Sequence, residues 1–316
     1  MFDVITIGTA TRDVFLESKD FHVLSPGRRE LQCFALGAKI EVDEVVFASG
    51  GGAANAAVTF ARQGFKTACL FKTGNDEAGR SVRYDLEKEG VRPLLTSDSK
   101  KHTAYATVLL NPNGERTILT YRGAAESLEL TEIPWGDLEA RWACFFPSRI
   151  PLNAMEQLVN HFNHQGAFLA MNPSGHYLKM GIGRLLPLLN KLKVIIMNEE
   201  EAGLSKIDDV FAGILAVTKG PRGIRVKADG RIYEAGVFPE TAVADRTGAG
   251  DAFGAGFVAG LMQSSNDIEY AIRLGSANAT SVVEHIGAQT GILNRREFEE
   301  NRRWQKLPIH KKSVKH

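Results

Sequence analysis

Two carboxylates enclose a run of mostly small residues in Asp245-Arg246-Thr247-Gly248-Ala249-Gly250-Asp251, and Ala252-Phe253-Gly254-Ala255-Gly256-Phe257 follows directly. That order reads as a loop feeding a helix N-terminus, whose unpaired N–H groups and positive dipole end attract an anion. Small side chains at 248–250 let a phosphate approach the backbone. Asp251 then stands where it could take a proton from an attacking hydroxyl. The same letters also fit a glycine-rich turn that packs a helix tightly, with Asp251 as a partner for the dipole. One short motif does not decide between them.

A second glycine cluster, Ser49-Gly50-Gly51-Gly52-Ala53-Ala54-Asn55, opens the Ala-rich helix Ala56-Ala57-Val58-Thr59-Phe60-Ala61-Arg62, which stops at Gly64. Asn55 brings both a donor and an acceptor, for a ligand or simply as a cap. Asp13 lies five positions beyond Gly8, where the first buried strand ends. Loops at the ends of parallel strands line ligand crevices, so Asp13 could hold hydroxyls; a turn carboxylate is the other reading. Asn198-Glu199-Glu200-Glu201 follows the buried strand Lys193-Val194-Ile195-Ile196-Met197. Acid at such an edge can organise Mg²⁺ through water, although a solvated first helical turn gives the same run. Thr218-Lys219-Gly220-Pro221-Arg222-Gly223 carries another strand into a glycine turn.

The elements positioning these residues alternate strand and helix, which predicts a doubly wound α/β core with right-handed crossovers. Two stretches break the rhythm. Residues 14–48 hold Pro26-Gly27 and short β-like pieces around Leu31–Leu36 and Glu44–Phe47. Residues Ala104–Leu110 and Arg116–Tyr121 form a β-like pair across Asn111-Pro112-Asn113-Gly114-Glu115, with Asn113-Gly114 as the turn signal. Strands inserted into an α/β pattern predict a small separate sheet, serving as a lid or an oligomer contact. Ile224–Lys227 and Ile232–Ala235 flank the turn Asp229-Gly230, and helical runs follow over Asp251–Met262 and Ile268–Val283.

Composition narrows the class. A net charge of +1 argues against wholesale nucleic-acid or membrane binding. Cys33, Cys69 and Cys144 are odd in number and scattered, with no disulfide framework or metal spacing. The eight histidines have no metal spacing either. No apolar stretch approaches a membrane span. Met1-Phe2-Asp3-Val4-Ile5 carries acid where a signal peptide wants positive charge, so the expectation is a cytoplasmic protein.

The motifs together resemble the ribokinase-like (PfkB) family of carbohydrate and nucleoside kinases. Gly50-Gly51-Gly52-Ala53-Ala54-Asn55, with Gly64 and Gly74, is similar to the family's N-terminal signature; Asp245–Asp251 with its small-residue helix is similar to the C-terminal one. Asn198–Glu201 resembles the Asn-x-x-Glu element, and Thr218-Lys219-Gly220 with Gly223 the nucleotide-side turn. All stand in family order between about residues 3 and 293. The resemblance implies a Rossmann-like three-layer α/β/α core over 1–12, 49–103 and 123–300, a β-lid over 13–48 and 104–122, and a basic, partly disordered tail over 301–316. It implies ATP, Mg²⁺ and, in many relatives, K⁺. Asp251 would be the general base, and the N–H groups of Gly248, Ala249 and Gly250 the anion hole. Asp13, Gly50, Gly51 and Asn55 would bind the acceptor; separately, Tyr121-Arg122-Gly123 ends a lid strand and could place Arg122 over the substrate. Thr218, Gly220 and Gly223 would line the nucleotide, Asn278 would lie near its base, and Asn198 and Glu201 would hold Mg²⁺ through water. Asp245 and Thr247, with carbonyls near Val282, His285 and Gly287, would form the monovalent-cation site.

The chain also departs from the pattern. Gly52 stands where ribokinase has a Lys, and Arg246 where the family has a small residue. The stretch from Glu201 to Thr218 is short, implying a lost or reduced peripheral helix. Phe145-Phe146-Pro147-Ser148-Arg149 lacks the sugar-binding Glu, which argues against ribose. The expected activity is transfer of phosphate from ATP to a primary hydroxyl of a sugar or sugar derivative. A nucleoside kinase of the adenosine type is the alternative within the family, and a non-catalytic sugar-binding sensor the alternative outside it. A dinucleotide oxidoreductase lacks its glycine fingerprint after the first strand. A homodimer through the lid is expected; nucleic acid and membrane partners are not.

Overall fold

The structure, a computed structural model, describes residues 1–25, 31–111 and 116–313. The turn calls at Pro26-Gly27 and Asn113-Gly114 lie outside the described residues. The strands begin with β1 (Phe2–Gly8), β2 (Thr11–Glu17), β3 (Val23–Leu24), β4 (Leu31–Gln32), β5 (Glu44–Gly50) and β6 (Thr67–Gly74). Next come β7 (Arg92–Asp98), β8 (Tyr105–Leu110), β9 (Arg116–Tyr121), β10 (Ala140–Phe146) and β11 (Phe168–Met171). The last are β12 (Val194–Asn198), β13 (Ile214–Thr218), β14 (Ile224–Ala228), β15 (Arg231–Ala235) and β16 (Ile309–Ser313).

Ten strands form one sheet in the order β16-β15-β14-β13-β12-β11-β10-β1-β6-β7, parallel from β7 to β13 and antiparallel from there to β16. Alternation along each central strand feeds two cores. Val4, Val194 and Ile196 pack beneath the helices Gly52–Arg62, Ala249–Gln263 and Ile268–Val283. Ile5, Ile7, Ile195 and Met197 pack beneath Leu152–His164 and Ile182–Leu189. The result is a three-layer α/β/α fold. β1 lies between β6 and β10, and the chain leaves it first toward β7 and later toward β13. That reversal opens a crevice at the carboxyl ends of the strands, the usual ligand site of such sheets.

A second sheet, β5-β2-β8-β9, grows from β1 after two linking residues. Phe15, Val108 and Leu110 form its own small core, with Val46, Ala48 and the core-domain residue Ile286 packed against it. Two of its strands run two residues past the expected lid limits, β2 starting at Thr11 and β5 ending at Gly50. Val45, Phe47, Ile118, Leu119 and Tyr121 remain exposed on it.

As far as Ser313 the tail is held against the core, in place of the expected solvated, partly disordered end. Trp304 is buried edge-on to Phe238 at 5.1 Å, and Ile309–Ser313 pairs antiparallel with β15. Lys311 pairs with Glu269 and Lys312 with Glu234. A five-residue edge strand with mostly exposed side chains carries little apolar alternation, which is why its sequence reads as a solvated end. Between Glu201 and Thr218 the expected peripheral helix shrinks to the four residues Ile207–Val210.

Candidate active site

The loop Asp245–Gly248 is shaped by its first carboxylate. Asp245 is fully buried, and its Oδ1 accepts from the Thr247 amide at 2.9 Å and the Thr247 hydroxyl at 2.6 Å, a local turn of the Asx kind. Its Oδ2 accepts from the Gly287 amide at 3.2 Å, tying the loop to the segment after the Ile268–Val283 helix. Gly248 caps the next helix with φ 79°, and a Cβ there would fall 2.4 Å from the Ala288 Cβ. Only glycine combines that left-handed backbone with that space. The first bond within the helix runs from the Ala252 amide to the Gly248 carbonyl at 2.8 Å. The amides of Ala249, Gly250 and Asp251 therefore lack helical partners, and no side chain caps them.

Asp251 sits at the mouth of this turn. Asn55 donates to its Oδ2 at 2.9 Å, and Gln289 donates to the Asn55 Oδ1 at 3.1 Å. The Gln289 bond fixes which way the Asn55 amide faces, so its NH₂ meets the carboxylate. Burial pushes the Asp251 carboxyl up, and the Asn55 bond pulls it down less strongly. The other oxygen, Oδ1, faces Gly52, where a Cβ would lie at 3.3 Å. The glycine leaves that oxygen approachable.

Asp13 comes from the inner end of the lid. It is 5% exposed, and its Oδ1 accepts from the Thr11 hydroxyl at 2.7 Å. A Cβ on Gly50 would lie 2.0 Å from its Oδ2, so the glycine makes room for the carboxylate. Burial pushes Asp13 up to about 6, against the pull of Thr11 and Arg12; the nearby charges of Asp245 and Asp251 push it further. A carboxyl raised by folding stabilises fully below its unfolded value, here 3.8, and loses that contribution as pH rises to about 6. Asp13→Asn is thus expected to raise the melting temperature at about pH 7.5, with a gain on the order of 2–3 kcal/mol. If Asp13 accepts from the acceptor's hydroxyls, the wild-type KM for acceptor rises as pH falls below about 6, and the Asn variant loses that dependence. Melting curves and acceptor titrations across pH check both; a less stable Asn variant would sink the argument.

Arg116, Asn172, Asn198, Glu201, Gly248, Gly250 and Asp251 line one cavity of about 300 Å³. Asn198 caps the short helix Glu199–Gly203 by accepting from the Glu201 amide at 2.8 Å, and Glu201 Oε2 accepts from the Asn198 amide at 3.0 Å. Burial pushes the Glu201 carboxyl up, the Asn198 amide opposes it, and the charges of Glu200 and Asp251 add to the rise. Among the described residues no three His, Cys, Asp or Glu side chains converge as a metal cage. Glu201 Oε1 stays outside the capping box, so this edge suits a cation that keeps most of its waters.

A groove of about 420 Å³ adjoins it, bordered by Thr218, Gly220 and Gly223 on one side and by Ser276, Ala279, Thr280 and Val283 on the other. Arg246 lines both spaces and lies 3.7 Å from Glu240, so the ion-pair reading and the cavity-facing reading of this residue coexist.

Two expected site residues are not brought in. Asn278 does not line the groove: it is fully buried, donating to Ala252 O and Thr59 Oγ1 and accepting from the Leu293 amide. Its amide holds helices together. Arg122 donates to Ser148 at 3.2 Å and pairs with Glu126 at 3.3 Å, outside the cavity that holds Asp251. The lid arginine in that cavity is Arg116, six positions earlier. Arg116 and Gln289 went unmarked in the sequence, since neither belongs to a motif. Val282, His285 and Gly287 do gather behind the loop: the Val282 carbonyl accepts from the His285 amide at 3.0 Å, and His285 Nδ1 meets the Ser281 carbonyl.

A doubly wound sheet whose crevice holds an uncapped helix start beside an approachable carboxylate suits phosphoryl transfer to a small molecule. Residues 1–295 match the pfkB family carbohydrate kinase description, and the chain belongs to that family. It is 30% identical to a fructokinase of Escherichia coli, over 79% of this chain and 90% of that one. Its fold is similar to adenosine kinase from Sinorhizobium meliloti, with a TM-score of 0.76, 23% identity and coverage of 91% and 95% of the two chains. It is also similar to an uncharacterized sugar kinase from Pyrococcus horikoshii solved in complex with ATP, with a TM-score of 0.75, 22% identity and coverage of 96% and 99%. The chain is a small-molecule kinase of the pfkB carbohydrate kinase family. Among the described residues, no helix is long and apolar enough to cross a membrane.

Proposed function

We propose that this kinase transfers the γ-phosphoryl group of ATP to a primary hydroxyl of a sugar or sugar derivative. The observation carrying the reading is the chain Gln289 to Asn55 to Asp251, which aims a half-buried carboxylate at the open turn of the anion-binding helix. ATP would lie in the groove between Thr218–Gly223 and the Ile268–Val283 helix, its phosphates reaching Gly248–Gly250 past Arg246. Asp13 would accept from the acceptor's other hydroxyls, with Gly50 and Gly51 leaving the backbone close enough to join. The acceptor oxygen forms a bond to the γ-phosphorus while its proton passes to Asp251 Oδ1. The bond to the bridging β–γ oxygen breaks, and ADP carries away the released charge. The amides at the helix start meet charge that develops on the equatorial oxygens. Mg²⁺ held through water by Glu201 and Asn198 would neutralise the polyphosphate, since the clustered carboxylates at that edge already favour a cation. A second copy of the chain would cover the exposed lid residues Val45, Phe47 and Ile118; a monomer mass in sedimentation equilibrium speaks against that part.

The test is ADP release with Mg²⁺ across pentoses, hexoses, sugar acids and nucleosides. Turnover with a sugar or sugar acid is the expected result, and turnover with adenosine alone would move the assignment to a nucleoside. Silence across the panel, with one member raising the melting temperature, would favour a sensor.

A further inference from the structure

We propose that the Arg116 guanidinium is the fixed cation of the phosphoryl-transfer site, taking the place beside Asp245 that the family resemblance gives to a monovalent ion. The inference rests on the kinase reading above but concerns a charge that the described chain itself supplies. Arg116 opens β9 and reaches from the lid to within 3.9 Å of Asp245 Oδ1. Its Nε is buried without a hydrogen-bond partner, and its side chain lines the cavity that holds Gly248, Gly250 and Asp251. A buried guanidinium N–H left without a full hydrogen bond is costly; this one lies nearest Asp245 Oδ1, and the side chain that carries it borders the space beside the helix start.

The residues around Asp245 do not fit a bound alkali ion. Both carboxylate oxygens already accept from protein donors, Oδ1 from two groups of Thr247 and Oδ2 from the Gly287 amide. Three hydrogens therefore point at these two oxygens, which leaves an ion one lone pair on Oδ2 and none on the Oδ1 side that Arg116 approaches. The Val282 carbonyl is likewise engaged, by the His285 amide at 3.0 Å. An ion entering this shell would also meet the Arg116 charge at close range, and like charges at such distances repel strongly in a buried site. The arginine gives the same electrostatic result without an exchangeable ion: it offsets Asp245 behind the anion loop and presents a donor to the transferring phosphoryl. The planar fork of the guanidinium suits phosphate geometry. It also replaces the charge missing where Gly52 stands in place of a lysine.

Arg116 belongs to the lid and Asp245 to the core. The site is thus fully charged only with the lid in this position, which ties phosphoryl transfer to closure over the acceptor.

The experiment compares K⁺ with tetramethylammonium chloride at fixed ionic strength, reading both turnover and melting temperature for wild type, Arg116→Ala and Arg116→Lys. Wild type should melt alike in the two salts and turn over within about twofold, because no ion site completes it. Arg116→Ala should lose roughly 10²-fold in kcat, the usual effect of one transition-state donor. Low guanidinium concentrations should restore part of that loss, and Arg116→Lys should fall between the two. K⁺ raising the wild-type melting temperature, or activating it more than about tenfold, overturns the proposal; so does a folded Arg116→Ala with unchanged kcat. The melting arm reads ion binding even if no acceptor in the panel is phosphorylated, so failure of this proposal stays distinct from failure of the kinase assignment.

Discussion

Asp251→Asn should leave a folded protein that binds nucleotide and acceptor yet turns over about 10²–10⁴-fold more slowly, the range for loss of a positioned base. The amide is nearly isosteric, and Asn55 can still donate to the oxygen it retains, so the helix start keeps its shape. What disappears is the group that takes the acceptor's proton. The loss should fall on kcat, with the acceptor KM changing little, because binding rests on Asp13 and the glycine backbone rather than on Asp251. The acid limb of the wild-type rate profile follows from the same environment. Burial raises the Asp251 carboxyl, so turnover falls as pH drops through that raised value, and the base is lost earlier than an exposed carboxylate would be. The Asp251 charge adds a little to the rise at Asp13, and both carboxyls sit in the free site, so the limb of kcat/KM carries contributions from both residues. In kcat, measured with acceptor bound, the limb should belong to Asp251 and vanish in the Asn variant. A variant retaining more than a tenth of wild-type kcat would remove Asp251 from the role of base.

The residues legible in the sequence were those whose backbone must do something unusual. A helix beginning without a side-chain cap, at a glycine with positive φ, demands small residues at fixed spacing. Gly248-Ala249-Gly250 before Asp251 carries that demand in four letters, and Gly51 before Asn55 carries a similar one. The doubly wound sheet was legible for a related reason: strands buried on both faces must read as unbroken apolar runs, as Thr67–Gly74 and Val194–Met197 nearly do. Groups delivered by tertiary structure left no such trace. Arg116 and Gln289 lie 135 and 38 positions from Asp251 in the sequence, and each reaches the site from an element that is ordinary on its own. Asn278 shows the opposite failure. Ser276, Ala279, Thr280 and Val283 mark the helix face toward the groove, and Asn278 falls on the face turned to Thr59 and Ala252 instead. One residue along a helix is about 100° of rotation, enough to turn a ligand contact into a structural tie.

Lys72 was equally silent as a letter within a buried strand, and its replacement should produce the largest stability loss outside the site. It lies on β6, 4% exposed, with Nζ at 2.6 and 2.8 Å from the two Glu132 oxygens, 3.0 Å from the Ser127 carbonyl and 3.3 Å from Asp98. Burial works against its charge, but the bonds to Glu132 and Asp98 outweigh that and hold its pKa above the ordinary lysine value. The cluster pins the segment after the lid strand β9 to the central sheet. Lys72→Met keeps the length of the stem and removes the charge, leaving Glu132 facing an apolar strand. Breaking a buried pair from one side costs about 3–5 kcal/mol, and the lower end applies because Glu132 retains some contact with water. For a chain of this size that is a fall of roughly 5 °C in melting temperature. A lysine raised by its partners stabilises fully below its unfolded pKa and loses that contribution as pH rises through the folded value, so the wild-type advantage should persist at neutral pH and fade only in strong alkali. Asp98 has its own partners in the amides of Lys100 and Lys101, and these with Lys72 hold its carboxyl well below the usual range. Glu132 keeps only the Glu129 amide at 2.9 Å, so it is the carboxylate left shorter of partners by the substitution. Adding Glu132→Leu to Lys72→Met should recover most of the lost stability, since an apolar pair replaces a half-broken ionic one. If the double variant is no more stable than the single one, the cost lies in packing around the lysine stem, and the ion pair is not what fastens this segment to the core.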